Sequence, residues 1–168
     1  RGPGEQLLRA RAVGGEELEV KVFGRDAWDA QYIGSLWTAL TRRGEAPQLA
    51  VSRLERVEHE AMVSLLAERA GVPVLPVVTS GQGAQGEALL VTYAAARAFA
   101  DLPPESVDDP WLREAWEAVG ELHEAGIAHR GITGERLVER ADGSPALADF
   151  SQARLAASNN DLMIDRVH

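Results

Sequence analysis

The sequence predicts an α+β domain in which a small sheet-rich lobe precedes a short helical lobe. Three observations predict it. Short stretches of alternating apolar and polar residues flank Gly-rich turns, which is typical of β-hairpins. Apolar residues recur at helical spacing in three longer segments. A Pro-rich, acidic linker at 102–109 follows the second hairpin, and we expect a division into 1–97 and 98–168.

The first predicted element is a hairpin. Residues 6–13 alternate loosely, Gly14 and Gly15 supply a turn, and residues 18–23 alternate strictly between apolar and polar side chains. Residues 72–80 and 88–93 are β-branched runs around a second Gly-rich turn, and they predict another hairpin.

Two helices are predicted between these hairpins. In the first, over 26–43, the residues Trp28, Tyr32, Leu36 and Leu40 recur at i, i+4. The second covers 48–70 and stops at Gly71 and Pro73. Its predicted buried stripe is Val51, Leu54, Val57, Ala61, Leu65 and Leu66.

A third helix is predicted over 111–125. Asp109 followed by Pro110 is a strong start signal, with Asp109 as the cap, and Gly126 ends the helix. Its predicted stripe is Leu112, Ala115, Val119 and Leu122. His123 lies one position off that stripe, so we expect a packing or surface histidine.

Composition excludes several classes of function. A net charge of −9 argues against sequence-independent binding of nucleic acid and against adhesion to an anionic lipid surface. The absence of cysteine excludes disulfides and Cys-based metal or nucleophile sites. No apolar run approaches the ~20 residues of a membrane span, and no leader is visible, so we expect a cytoplasmic domain without a span of its own.

Arginine greatly outnumbers lysine in this chain. The chain contains sixteen arginines and one lysine, Lys21. A preference for Arg codons would produce this by chance. Alternatively, Lys21 occupies a place where a compact ammonium fits a phosphate and the planar guanidinium does not.

Residues 122–151 resemble the catalytic segment of the protein-kinase-like fold. In that family a helix leads into His-x-Asp-x-x-x-x-Asn, and a hairpin then delivers Asp-Phe-Gly. His129 matches the first position, and Asp149 with Phe150 matches the start of the second motif, where Ser151 replaces the last Gly. Residues 161–167 would begin the next helix, in which Asp165 matches an acidic residue that braces the catalytic loop. A full kinase large lobe has many more helices, so the resemblance implies a minimal or truncated large lobe.

The same resemblance implies a nucleotide site. Lys21 lies where the family has its nucleotide lysine, and Glu60, or else Glu58, would be its helix partner. Tyr93 and Ala94 lie at the hinge that receives an adenine edge. Gly2 and Gly4 are either the remnant of a Gly-rich phosphate loop or the irregular start of the chain.

Two working residues of the family are missing. Gly131 stands where the catalytic Asp should be, and Arg136 stands where the metal-binding Asn should be. Gly131 cannot act as a base, and a permanent cation at 136 would repel a second metal ion, although it could contact phosphate oxygens instead. The resemblance implies Asp149 as the remaining Mg²⁺ ligand. ATP and Mg²⁺ are then both candidate ligands, and the first hypothesis below does not require Mg²⁺.

Three hypotheses follow from these replacements. The first is a pseudokinase, a regulatory or docking module that binds a nucleotide weakly or not at all. The second is an active atypical phosphotransferase that acts on a small-molecule or protein hydroxyl, with His129 or Glu135 orienting the acceptor. The third is a nucleotide-free scaffold that uses its acidic surface or exposed tryptophans, although Trp28, Trp37, Trp111 and Trp116 are expected in the core.

The sequence also resembles the small kinase-like domains that are fused to multi-span membrane proteins in bacteria, including lysylphosphatidylglycerol-synthase-like ones. That resemblance implies a cytoplasmic domain whose partner is another protein or the membrane protein that carries it.

Overall fold

The computed structural model describes residues 5–24, 48–83 and 86–167. These residues form two compact units. One contains the described residues before Met62 together with Val77–Tyr93, and the other contains Met62–Pro76 and the described residues from Ala94 onward. The chain passes between the two units after Ala61, after Pro76 and after Tyr93, and the last of these points lies within the predicted hinge. The predicted helix at 26–43, with Trp28 and Trp37, lies outside the described residues, as do Gly2 and Gly4.

The first unit is built on a four-stranded antiparallel sheet in the order β1-β2-β4-β3. The strands are β1 (Glu5–Arg11), β2 (Glu17–Phe23), β3 (Val77–Gln82) and β4 (Ala88–Tyr93). The predicted β1-β2 hairpin is confirmed, and Gly15 turns it with a φ of 95° that suits glycine. The predicted strand from 72 was wrong at its start, because strand β3 begins only at Val77.

Helix α1 (Gln48–Arg69) follows the first hairpin, as predicted, and Gly71 follows its end with a φ of 93°. In the first unit Val57 and Ala61 pack with Phe23, Ala88 and Leu90 in one apolar cluster.

The predicted stripe of helix α1 was wrong toward its end. Leu65 and Leu66 are exposed by 48% and 41%, whereas Glu60 and Ser64 are buried. Near the end of helix α1, the face predicted from apolar residues alone therefore differs from the face that is buried in the structure.

Helix α2 (Asp109–Glu124) begins the helical part of the second unit. Its cap is Asp108, whose carboxylate accepts a hydrogen bond from Trp111 N at 2.9 Å, so the expected cap Asp109 was wrong by one residue. Leu112, predicted in the stripe, is exposed by 36%. The buried face consists of Trp111, Ala115, Ala118, Val119 and Leu122.

The tryptophans of helix α2 differ. Trp111 is buried as predicted, stacks on Phe99, and donates from Nε1 to the carbonyl oxygen of Gly143 at 3.1 Å. Trp116 is exposed by 57%, so its expected place in the core was wrong.

Short strands and a final helix complete the second unit. A three-stranded sheet joins β5 (Arg97–Ala98), β7 (Leu137–Glu139) and β8 (Pro145–Leu147), and β6 (Ile127–Ala128) pairs with β9 (Arg154–Leu155). The predicted hairpin before Asp149 is thus confirmed as β7 and β8. Helix α3 (Asn159–Val167), also predicted, starts after Ser158, whose side chain and that of Asp161 cap each other's backbone N–H.

Candidate functional site

Lys21 and Glu60 form a buried ion pair in the first unit. Lys21 Nζ lies 3.1 Å from both carboxylate oxygens of Glu60, and the two side chains are exposed by only 9% and 4%. The carboxylate of Glu5 lies 3.5 Å from the same nitrogen, and the ring of Phe23 lies 5.5 Å from it. The pairing predicted with Glu60 is therefore present, and Glu58, the other candidate, is exposed.

The local structure explains why this pair forms. Lys21 lies in the middle of strand β2, opposite Leu7 on one neighbouring strand and Leu90 on the other. Glu60 lies on helix α1 between the buried Val57 and Ala61. A charge in such surroundings requires a partner of opposite sign, because its loss of water is otherwise uncompensated.

In the second unit, Asp165 fixes the backbone of the loop that begins at His129. One carboxylate oxygen accepts from His129 N at 2.7 Å, and the other accepts from Arg130 N. Asp165 is exposed by 1%. The bracing contact predicted for this residue is present.

The sequence did not indicate that His123 also contacts Asp165. Its Nε2 lies 3.1 Å from the carboxylate, which makes it a packing histidine with a defined polar partner. The signal that could have indicated a buried contact for His123 is its position on helix α2, directly after the buried Leu122.

The His129 imidazole is fully buried. Its Nε2 lies 3.0 Å from the carbonyl oxygen of Ala148, and its ring lies 4.8 Å from that of Phe150. Among the residues that the structure describes, none is a hydrogen-bond partner of its Nδ1. Burial lowers the pKa of the imidazole below its ordinary value, because the charged form would be cut off from water. The expected role of orienting an acceptor hydroxyl is not supported, since no face of the ring is open to one.

Arg136 contacts the other degenerate position, Gly131, and also Asp149. Its Nε lies 2.9 Å from Oδ2 of Asp149, and its Nη1 donates to the carbonyl oxygen of Gly131 at 3.1 Å. A Cβ atom placed on Gly131 would overlap Nη1 of Arg136. The guanidinium therefore occupies the space that the side chain of an aspartate at 131 would enter.

The β7-β8 hairpin brings Arg136 to Asp149. Leu137 pairs with Leu147, and Ala148 N donates to the carbonyl oxygen of Arg136. Asp149, two residues after the end of β8, therefore comes beside Arg136. Asp149 has a left-handed backbone with a φ of 60°, and its Oδ1 accepts from Ser151 N at 3.4 Å. Glu135, the other candidate acceptor group, is exposed on the loop.

These residues do not fit a divalent metal ion well. Mg²⁺ prefers carboxylate oxygens and water, but the carboxylate of Asp149 already contacts a guanidinium. Among residues 5–24, 48–83 and 86–167, no group of three or more His, Asp or Glu side chains could hold a metal ion. The expectation that Asp149 binds Mg²⁺ therefore receives no support from its surroundings.

Comparisons with known proteins concern the fold. No protein-family model matches the sequence. A solved structure of the CAK (CDK-activating kinase) complex from Chaetomium thermophilum bound to ATP-gamma-S is similar, with a TM-score of 0.60 and 19% sequence identity, and the match covers 95% of this chain. The chain has the protein-kinase-like fold. It spans 46% of the length of that kinase-complex chain, and a likeness at this identity concerns the kinase-like fold alone.

The kinase-like frame carries the predicted residues in two separate groups. The first unit holds Lys21 with Glu60, and the second holds Arg136 with Asp149. Tyr93 is exposed by 42%, and Ala94 is partly buried. Within the described part of the chain, no helix has the length and apolar character needed to cross a membrane.

Proposed function

We propose that this chain is a pseudokinase, a kinase-like domain that acts as a regulatory or docking module and transfers no phosphoryl group. The observation that carries the proposal is the position of Arg136. Its guanidinium pairs with Asp149 and takes the space beside Gly131 where the fold has its base. Without a base to orient an acceptor, and with the metal-binding carboxylate already paired, phosphoryl transfer lacks two of its parts.

Weak nucleotide binding is the second part of the proposal. The buried pair of Lys21 and Glu60 supports it, because this pair is the part of the fold that orients an ammonium toward phosphates. Lys21 is also the one lysine among seventeen basic side chains, where an arginine would offer a fork instead of a point charge. The partner would be another protein or a membrane protein that carries this domain.

The intact Lys21–Glu60 pair also favours one alternative, an atypical phosphotransferase acting on a small-molecule or protein hydroxyl. In this alternative Glu135, which is exposed, would orient the acceptor, because His129 is buried. ATP turnover that is lost in Glu135→Gln would establish the alternative and overturn the pseudokinase proposal. Turnover that is indifferent to Glu135 but lost in Lys21→Met would also overturn the proposal.

The first experiment is thermal unfolding with and without millimolar ATP, in Mg²⁺ and again in EDTA. Ligand at about a hundred times its Kd stabilises a folded protein by roughly 2.7 kcal/mol, which raises the Tm of a domain of this size by about 5–10 °C. We expect a smaller shift in the wild type and none in Lys21→Met, each measured against its own ligand-free Tm.

Arg11→Ala is the matched control for this experiment. It removes an exposed cation from the neighbouring strand, where Arg11 pairs with Glu17 at 3.0 Å. It should keep the full nucleotide shift. A wild type without any shift, in Mg²⁺ and in EDTA alike, would remove nucleotide binding from the proposal and leave a partner-binding scaffold.

A further inference from the structure

The Arg136 guanidinium is held in a defined place by two partners of different kinds. The carboxylate of Asp149 balances its charge at 2.9 Å, and the backbone carbonyl of Gly131 accepts from it at 3.1 Å. The side chains of Arg136 and Asp149 are exposed by 23% and 29%, so one side of the pair is open to solvent.

Gly131 is the residue that makes this placement available. Any larger residue would put a Cβ atom onto Nη1 of Arg136, and this nitrogen would have to leave its place at the Gly131 carbonyl. The replacements at 131 and 136 are therefore coupled. A glycine at 131 removes a base, and it also admits a cation.

The admitted cation lies against the carboxylate that the fold uses for a metal ion. A divalent ion at Asp149 would have to displace a permanently charged group that the paired strands β7 and β8 hold beside this carboxylate. It would also meet that same positive charge at position 136 as a repelling neighbour. The positive charge beside Asp149 thus comes from a side chain of the protein, Arg136, and not from a metal ion.

A guanidinium carries five N–H donors in one plane, and the two contacts described leave donors for further acceptors. Planar pairs of N–H groups match the oxygens of a phosphate in a two-point hydrogen bond. The partly exposed Arg136 therefore has the charge, the donors and the access that an incoming phosphate needs.

We propose that this site takes its nucleoside triphosphate as the metal-free polyanion, with the guanidinium of Arg136 in the role that Mg²⁺ has elsewhere in the fold. This rests on the proposed nucleotide binding and adds to it a chemical class of ligand, a triphosphate without a divalent ion. It also assigns Gly131 a role as the residue that leaves room for the guanidinium.

The experiment is a calorimetric titration of ATP into the intact chain, once in EDTA and once with excess Mg²⁺. The wild type should bind at least as tightly in EDTA as in Mg²⁺. Arg136→Asn should bind about tenfold more weakly in EDTA, because a charge-assisted hydrogen bond is lost, and should recover with Mg²⁺. Gly131→Ala should also weaken binding in EDTA, by less than Arg136→Asn, because its Cβ displaces Nη1 of Arg136.

Two control variants match these changes. Arg140→Asn removes an arginine from the same hairpin, where Nε donates to Ser144 Oγ at 2.9 Å. Gly120→Ala adds a Cβ on helix α2 with no atom within 4 Å of it. Both should bind ATP like the wild type in either condition.

A nucleotide-free measurement separates the two proposals. Mn²⁺, detected by its electron paramagnetic resonance, should not bind wild type at Asp149, but should bind Arg136→Asn and lose that site in Arg136→Asn/Asp149→Asn. Wild-type binding of Mn²⁺ that disappears in Asp149→Asn would overturn the inference, as would ATP binding that requires Mg²⁺. Failure of the wild type to bind ATP in either condition would overturn the inference together with the proposed nucleotide binding.

Discussion

The carboxylate of Asp165, on helix α3, accepts a hydrogen bond from the backbone N–H of His129, thirty-six residues earlier in the chain, at 2.7 Å. Both residues are buried, at 1% and 0% exposed. The end of the described chain thereby fixes the start of the degenerate loop, and the backbone around Gly131 is held even though its base is missing.

Asp165→Ala should lower the free energy of unfolding by about 3 kcal/mol, because it leaves two backbone N–H groups and His123 without their acceptor. The measurement is urea unfolding followed by far-UV circular dichroism. Asp161→Ala on the same helix is the control and should cost about 1 kcal/mol, the usual value of a helix cap. Equal effects of the two substitutions would show that Asp165 contributes no more than the cap.

The ion pair of Lys21 and Glu60 predicts a strong coupling in a double-mutant cycle. Lys21→Met alone leaves a buried carboxylate and should cost about 3 kcal/mol, and Glu60→Gln alone should cost a similar amount. The double variant should cost less than the sum by more than about 1 kcal/mol. Glu58→Gln, an exposed change on the same helix, should couple to Lys21→Met by less than about 0.5 kcal/mol. Additive effects of the first two substitutions would contradict the pairing.

His129 predicts a dependence of stability on pH. Its folded pKa lies below the unfolded value of 6.5, so the unfolded chain binds the proton more readily. The neutral imidazole makes its full contribution to the free energy of unfolding above pH 6.5. That contribution is lost as the pH falls from 6.5 toward the folded pKa. The loss is at most about 1.4 kcal/mol per pH unit.

The pH test compares wild type with His129→Gln, whose amide can still donate to Ala148, at about pH 7.5 and about pH 5.5. The free energy of unfolding should fall less with acid in the variant than in the wild type. An unchanged difference in His129→Gln would mean that this histidine does not titrate on unfolding.

The two tryptophans of helix α2 predict opposite sensitivities. Trp111→Phe loses the hydrogen bond to Gly143 and part of a buried ring, and should cost about 2 kcal/mol. Trp116→Phe should change stability by less than about 0.5 kcal/mol, because the side chain is mostly exposed. Denaturant midpoints of the two single variants decide this, and a larger cost at Trp116 would place that ring in a packed environment after all.

Much of the fold could be predicted because its signals are local. The turn at Gly15, the stop at Gly71 and the hairpin before Asp149 each depend on a few adjacent residues, and each was found at its predicted place. The cap of helix α2 was displaced by one residue because Asp108 and Asp109 are chemically equal in sequence. Only the hydrogen bond to Trp111 N distinguishes them.

Tertiary packing accounts for the errors. The buried face of helix α1 includes Glu60 and Ser64, and polarity alone would assign both to solvent. Leu65 and Leu66 were assigned to the core for the converse reason. In the site, Glu60 as the partner of Lys21 and Asp165 as the brace of the loop followed from the resemblance to a known fold. The contact between Arg136 and Asp149 required the register of a hairpin, which the sequence alone does not state.

Lys21 is the sole lysine of this chain, and its Nζ is held against Glu60. An amine-acylating reagent therefore has a single side-chain target here besides any free α-amino group. The rate at which that target is modified measures how often the pair opens, since acylation needs a neutral and accessible amine. Acylation of Lys21 can therefore report whether a ligand is bound beside strand β2, without an engineered label.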